Sequence, residues 1–302
     1  MQQDISPTEA AEKVRQALEA MARQTPALRE IMAAFRPLKE GQAALKASLP
    51  ALDSPMPGLD PARLAQGEPL ASTGDFLACA GLDLPAFLER AAQALLPALE
   101  TGFPALAADV TALRAALVKK GLDAASSLEA LLAGRQDDFE RRASQAGLSP
   151  ASLGFMLLQL AKPLLERRAE SLGLLLEGLD WRQGSCPVCG SLPEMAYLEG
   201  TGGQRWLRCS LCAHHWRFSR TACPVCGNED QNQLEFFYAE GRESERVDSC
   251  RQCRNYLITL DARGQDKPPV WEVAALGLVH LDLLAQQRGL TPAAWCAWNQ
   301  VG

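Results

Sequence analysis

Eight of the ten cysteines in this 302-residue chain stand in four Cys-x-x-Cys pairs: Cys186/Cys189, Cys209/Cys212, Cys223/Cys226 and Cys250/Cys253. Thiolate is a soft, charged donor, and four of them complete a tetrahedron around zinc or iron. Two residues between the cysteines let one tight turn present both sulfurs to one ion, and a second pair closes the site. Eight thiols in four pairs therefore predict two four-cysteine metal sites. Two of the pairs read Cys-Pro-Val-Cys-Gly, at 186–190 and 223–227. Proline sets the turn, and the glycine permits the positive φ that aims backbone N–H groups at sulfur. Such bonds stabilise thiolate charge. Sequential pairing, 186/189 with 209/212 and 223/226 with 250/253, leaves loops of 19 and 23 residues, each able to hold a hairpin. The interleaved pairing requires a cross-braced chain. Spacing does not separate zinc from iron, and purely structural zinc is the plain alternative to any chemistry.

The rest of the chain must position these pairs. Residues 1–180 are rich in Ala and Leu at helical spacing and predict an α-helical bundle domain. Ser6-Pro7-Thr8-Glu9 is a capping box with proline at the first helical position. A second helix is expected after Pro26, a long loop over 50–75, and a helix started by Asp83 and Pro85. Further helices are expected over 104–119 and 136–146, and a very apolar one from Ser149-Pro150 to about Leu176. At Trp181 the composition shifts to aromatics, Arg, Gly and Cys. Strand candidates Glu194–Tyr197, Arg205–Arg208, Glu235–Ala239 and Tyr256–Leu260 each lie beside a cysteine pair. Two metal ribbons, 181–222 and 223–267, are expected, with ions replacing cores too small to form alone. The C-terminal part, 268–302, is expected to be helical, its last short helix capped by Thr291-Pro292 and carrying Trp295 and Trp298. The fold class is thus mainly α, a bundle with two small rubredoxin-like or zinc-ribbon β modules.

Charge and termini narrow the function. Residues 1–180 carry a net −5 and residues 181–302 a net −1, without the basic excess of a nucleic-acid binder. Met1-Gln2-Gln3-Asp4 does not read as a secretory signal, and Leu153 to Ala161 is too short to span a bilayer. A reducing, cytoplasmic setting without membrane insertion is expected, in which paired cysteines bind metal rather than form disulfides.

The stretch from Cys186 to Leu257 resembles the FdhE family of formate dehydrogenase accessory proteins. The resemblance is carried by Cys186-Pro-Val-Cys-Gly190, Arg208-Cys209-Ser-Leu-Cys212, Trp216-Arg217-Phe218, Arg220, Cys223-Pro-Val-Cys-Gly227 and Cys250-Arg-Gln-Cys253 followed by Tyr256-Leu257. Ile258 stands where that pattern leads one to expect Lys. The resemblance implies a cytoplasmic accessory protein, not an enzyme, needed to produce active respiratory formate dehydrogenase. Its partner would be the catalytic subunit, bearing selenocysteine or cysteine and a molybdenum cofactor, bound before export. The resemblance also implies iron in two rubredoxin-like sites, with zinc as the alternative, and leaves room for redox gating and for a homo-oligomer.

Outside the cysteines the signals are weaker. His214 and His215 follow the second pair and fit a partner contact better than ligation. Trp216, Arg217 and Arg220 are candidate partner anchors, since Trp and Arg dominate protein interfaces. Trp206 fits a cover over the metal. Arg205, Arg208, Arg217 and Arg220 form a local cluster, read either as carboxylate or phosphate recognition or as a solvated strand face. Cys79 and Cys296 fall outside the pairs, with burial the default for Cys79. No Ser-His-Asp arrangement or phosphate loop is present. Electron transfer by two rubredoxin-like irons is a second reading. Nucleic-acid binding by zinc ribbons is a third, opposed by the acidic charge.

Overall fold

The computed structural model describes residues 5–50, 59–78, 83–176, 178–265 and 267–299, so Cys79 lies outside the described residues. The chain divides into two compact units, Met1–Leu59 with Ser72–Ser171, and Asp60–Ala71 with Leu172–Gly302.

The first unit is helical. Its opening helix α1 (Pro7–Gln24) starts at the capping box, with Ser6 and Glu9 bonding reciprocally. After a 3₁₀ turn at Pro26–Leu28 comes α2 (Arg29–Ala47). The 50–75 stretch carries two short helices, α3 (Ala62–Ala65), which belongs to the second unit, and α4 (Asp75–Ala78) in the first, and residues 51–58 lie outside the description. Asp83 caps α5 (Leu84–Gly102) by accepting from Ala86 N–H at 3.0 Å. Then follow α6 (Ala107–Val118), α7 (Ala124–Leu132), α8 (Gln136–Gln145) and α9 (Pro150–Gly173). Helix α7 was not expected; Asp123 caps it through Ser126, a side chain–backbone signal that apolar spacing does not carry. Leu153, Met156, Leu157, Leu160, Leu164 and Leu165 of α9 are fully buried and make it the axis of this unit. No single described helix is long and apolar enough to cross a membrane.

The second unit is built on one seven-stranded sheet. The strands are β1 (Pro193–Glu199), β2 (Gln204–Cys209), β3 (His215–Arg217), β4 (Leu234–Tyr238), β5 (Glu245–Cys250), β6 (Asn255–Asp261) and β7 (Thr291–Pro292). The order is β3-β2-β1-β6-β5-β4, with β7 also on β6. The four strand candidates became β1, β2, β4 and β6. Parallel pairing of β1 with β6, from Met195↔Ile258 to Leu198↔Asp261, welds the two hairpins into one sheet. Ile258 is buried there between Met195 and Val247, a place where an ammonium would lack water. Helices α10 (Trp271–Ala274) and α11 (Val279–Gln287) follow, and the Tyr256 hydroxyl donates to Asp282 of α11 at 2.7 Å.

The expected last helix does not form among the described residues. Thr291 N–H donates to Arg254 C=O and Ala293 N–H to Tyr256 C=O, so the backbone joins the sheet instead. The Asn299 side chain then caps the turn at Cys296 and Ala294.

Two cysteine pairs are themselves hairpin turns, 209–212 between β2 and β3 and 250–253 between β5 and β6. All four turns close the same way: the residue after the second cysteine donates its N–H to the first cysteine's C=O. That residue has positive φ in each, at Gly190 (77°), Ala213 (58°), Gly227 (73°) and Arg254 (59°). Alanine and arginine are strained there by their Cβ. Ala213→Gly is expected to stabilise the metal-loaded chain by up to about 1 kcal/mol. Gly227→Ala, whose methyl would meet nothing within 4 Å, is expected to destabilise it by a similar amount. Urea midpoints check both; reversed signs would remove backbone strain from the account.

Arg205 of β2 is buried and spans the two hairpins. It donates to Ser219 and Ala222 C=O at 3.3 and 3.2 Å and meets Asp248 of β5 at 3.4 Å. Arg205→Ala strips the linker before Cys223 of its donor and leaves Asp248 with Arg246 and Thr259. A loss of about 3 kcal/mol in unfolding free energy is expected; an unchanged midpoint would show that the linker does not need this cation.

Candidate metal centres

The eight thiols gather in chain-sequential pairs: Cys186, Cys189, Cys209 and Cys212 in one group, Cys223, Cys226, Cys250 and Cys253 in the other, with the sulfurs of each group within 4.8 Å of one another. Sγ–Sγ separations are 3.7 Å for 186–212 and 3.5 Å for 189–209 and 189–212. In the second group they are 3.7 Å for 223–253 and 3.8 Å for 226–250. Metal–sulfur bonds of about 2.3 Å give a regular tetrahedron edges of about 3.8 Å. Disulfide sulfurs would approach to about 2.05 Å. The spacing fits a four-thiolate ion, and the donor set is the soft one that zinc and iron accept.

The two groups differ in their surroundings. All four sulfurs of the first are buried. Burial pushes the Cys186 and Cys212 thiols up, while hydrogen bonds from Cys186, Cys209 and Cys212 hold Cys189 down. A cation bound among them would favour the thiolate form. In the second group Cys223 and Cys250 are buried, Cys253 is half-buried and Cys226 is exposed. Burial pushes the Cys250 thiol up, but Cys253 and Gln252 N–H and the Asn228 amide outweigh it and bring it to about 7. Burial pushes Cys223 and Cys253 up.

Segments distant in sequence hold the first group. Leu70 and Ala71 N–H donate to Pro187 and Val188 C=O at 2.8 and 3.2 Å, so part of the 50–75 stretch covers this turn. No local motif announces that contact. Trp181 and Trp216 indole N–H groups donate to Ser185 and Gln183 C=O, fixing the approach to Cys186. Gly184 is required because a Cβ there would lie 1.8 Å from Pro224 O, in the turn of the second group.

The remaining expected site residues fall in different environments. Trp216 is buried and structural, not a surface anchor. His214 lies outside both sulfur groups, and burial pulls its imidazole down to about 4, keeping it neutral. His215 Nδ1 lies 2.9 Å from the Tyr197 hydroxyl, with the Trp271 ring 5.4 Å away. Trp206 stacks on Tyr197. Arg217 and Arg220 are exposed. Arg205 and Arg208 are neither solvated nor available for recognition: both are buried, and Arg208 pairs with the buried Glu194. Glu194 sits where the β1–β2 register shifts, which turns its carboxylate inward.

Residues 185–220 match the model of the FdhE central domain. A curated FdhE homolog of Aquifex aeolicus is 33% identical over 146 residues, covering 47% of this chain and 50% of that protein. A homolog from Actinobacillus pleuropneumoniae is 31% identical over 144 residues, 46% of this chain and 43% of its own. The chain thus spans half or less of the length of these curated relatives. The crystal structure of the FdhE protein from Pseudomonas aeruginosa shares the fold, with a TM-score of 0.59 at 22% identity over 96% of this chain and 94% of that one. The chain is thus similar to FdhE proteins in the family's central domain, in its curated relatives and in its fold.

Proposed function

We propose that this chain is a non-enzymatic accessory protein that binds the catalytic subunit of formate dehydrogenase in the cytoplasm during maturation. The observation that carries this reading is the pair of four-thiol groups on one sheet, within a chain similar to FdhE proteins. Two ions bound by Cys186, Cys189, Cys209 and Cys212, and by Cys223, Cys226, Cys250 and Cys253, hold that sheet in its binding shape. Iron is favoured by the family resemblance, with zinc as the alternative. Either ion, as a divalent cation, would offset two of the four thiolate charges; the chain's own turns, indoles and Arg205 do the positioning.

Electron transfer is the second reading, and one observation favours it: Cys226 is exposed, so the second group lies nearer the surface than the first. Voltammetry of iron-loaded protein separates the readings, since zinc shows no reversible one-electron wave.

The binding reading is tested by titrating the metal-loaded full chain with the purified catalytic subunit. Saturable binding is expected, and Cys223→Ala is expected to weaken it at least about tenfold, because a three-thiol site no longer holds the β4–β5 hairpin. Full affinity in that variant would sink the mechanism.

The unequal burial of the groups yields a separate expectation. A chelator such as EDTA should remove the ion of the second group first and leave a species with one metal per chain. Metal content against time reads this out; simultaneous loss of both ions would contradict it.

A further inference from the structure

Strand β4 ends the sheet and has a strand neighbour, β5, on one side only. Arg251 N–H donates to Gln233 C=O at 2.8 Å, continuing the Leu234↔Cys250 register by one residue. Residues in an antiparallel pair alternate between bonding the neighbouring strand and pointing both backbone groups away from it. Glu235 and Phe237 therefore face β5, and the N–H and C=O of Phe236 and Tyr238 face the open edge, as does the Leu234 C=O, while the Leu234 N–H donates to the Gln231 C=O. Proteins usually blunt such an edge with lysine, proline or a bulge. Here the strand reads Leu-Glu-Phe-Phe-Tyr, and its register with β5 runs without a shift.

The side chains at these open-edge positions are also open. Phe236 is 62% exposed and Tyr238 44% exposed, with their rings stacked at 6.5 Å and Arg246 5.3 Å over Phe236. Phe237 turns to the other face, under Arg288. Leu234 and Phe236 border a cleft of about 540 Å³ that Arg205, Arg220 and Arg246 also line. Asp248 is shared by Arg205 and Arg246, and Glu235 is taken by Arg251. The exposed Arg220 bonds the Gly202 C=O at 3.4 Å, with no carboxylate beside it among the described residues. Arg220 is therefore the exposed cation at this cleft.

We propose that the β4 edge captures an extended, acidic segment of the partner protein by adding it as a further strand. Its backbone bonds the Leu234 C=O and both backbone groups of Phe236 and Tyr238, and its carboxylates meet the exposed Arg220 at the cleft. The proposal rests on the reading that the partner is the catalytic subunit of formate dehydrogenase, and it names the surface used. Cys223 and Cys250 line the same cleft, and Cys250 is the register partner of Leu234, so metal in the second group fixes the edge that the partner meets.

The test uses the metal-loaded full chain, the purified catalytic subunit and two variants. Phe236→Pro removes an outward N–H that the β4–β5 ladder does not use. Arg220→Glu reverses an exposed charge and leaves the strand untouched. Each is expected to weaken binding at least about tenfold with metal content unchanged. Hydrogen exchange of the unaltered chain is expected to show the Phe236 and Tyr238 amides slowed in the complex. Absence of binding by the unaltered chain overturns the proposed function and this interface together. Binding that survives in Arg220→Glu, with those two amides still exchanging as in the free chain, overturns the interface alone, whatever Phe236→Pro does to the fold.

Discussion

Four sulfurs held within 4.8 Å of one another are a repulsive arrangement once ionised, and everything in the second unit depends on what neutralises them. Two short hairpins cannot bury enough apolar surface to hold thiols together by themselves. A structural ion at such a site contributes about 10–16 kcal/mol, as much as the whole net stability of an ordinary domain at about 5–15 kcal/mol. The ion is therefore the core of each hairpin in energetic terms. The indoles of Trp181 and Trp216, the Gly184–Pro224 approach and the left-handed turn residues are arrangements that let the chain come close enough to share it.

Sharing one sheet changes what each ion controls. Because β1 and β6 pair in parallel and Arg205 reaches from β2 to Asp248, neither hairpin is an independent bead on the chain. The buried group sets the inner strands and the exposed group sets the outer one. This division places the exposed cysteine, Cys226, on the hairpin whose outer strand is unpaired on one side. The arginines that looked like a single basic patch in the sequence are split by the same geometry. Arg205 and Arg208 are consumed inside the sheet, while Arg217 and Arg220 remain outside.

The cysteine groups were legible in the sequence because a two-residue spacing is a local constraint that the fold cannot disguise. The helix starts at Ser6 and Asp83 were legible for the same reason, being caps read within four residues. What escaped was non-local. Nothing near Leu70 and Ala71 says that their N–H groups belong to Pro187 and Val188, and β7 is a strand only because Arg254 and Tyr256 offer it carbonyls. The Thr-Pro pair at 291–292 has the form of a helix cap, and a neighbouring strand overrode it. The joining of the two ribbons also depends on a parallel pairing, which leaves no turn signature. Trp216, a candidate partner anchor in the sequence, is buried, and an indole anchors an interface and a metal cover by the same chemistry.

The β1–β6 pairing also sets an order of events at the ribosome. The Asp60–Ala71 segment emerges long before Pro187 and Val188, whose carbonyls it must satisfy. The ligands of the buried group are complete at Cys212, so that hairpin can close while the remainder is still being translated. Strand β1 must then wait through the synthesis of the entire second hairpin for β6, its long-range neighbour. Pairings of such high sequence separation form late and leave sticky edges open in the interval. Early capture of the first ion would rigidify the nascent β1–β2 hairpin during that wait, making metal supply a kinetic safeguard for the growing chain as well as a source of stability for the finished one.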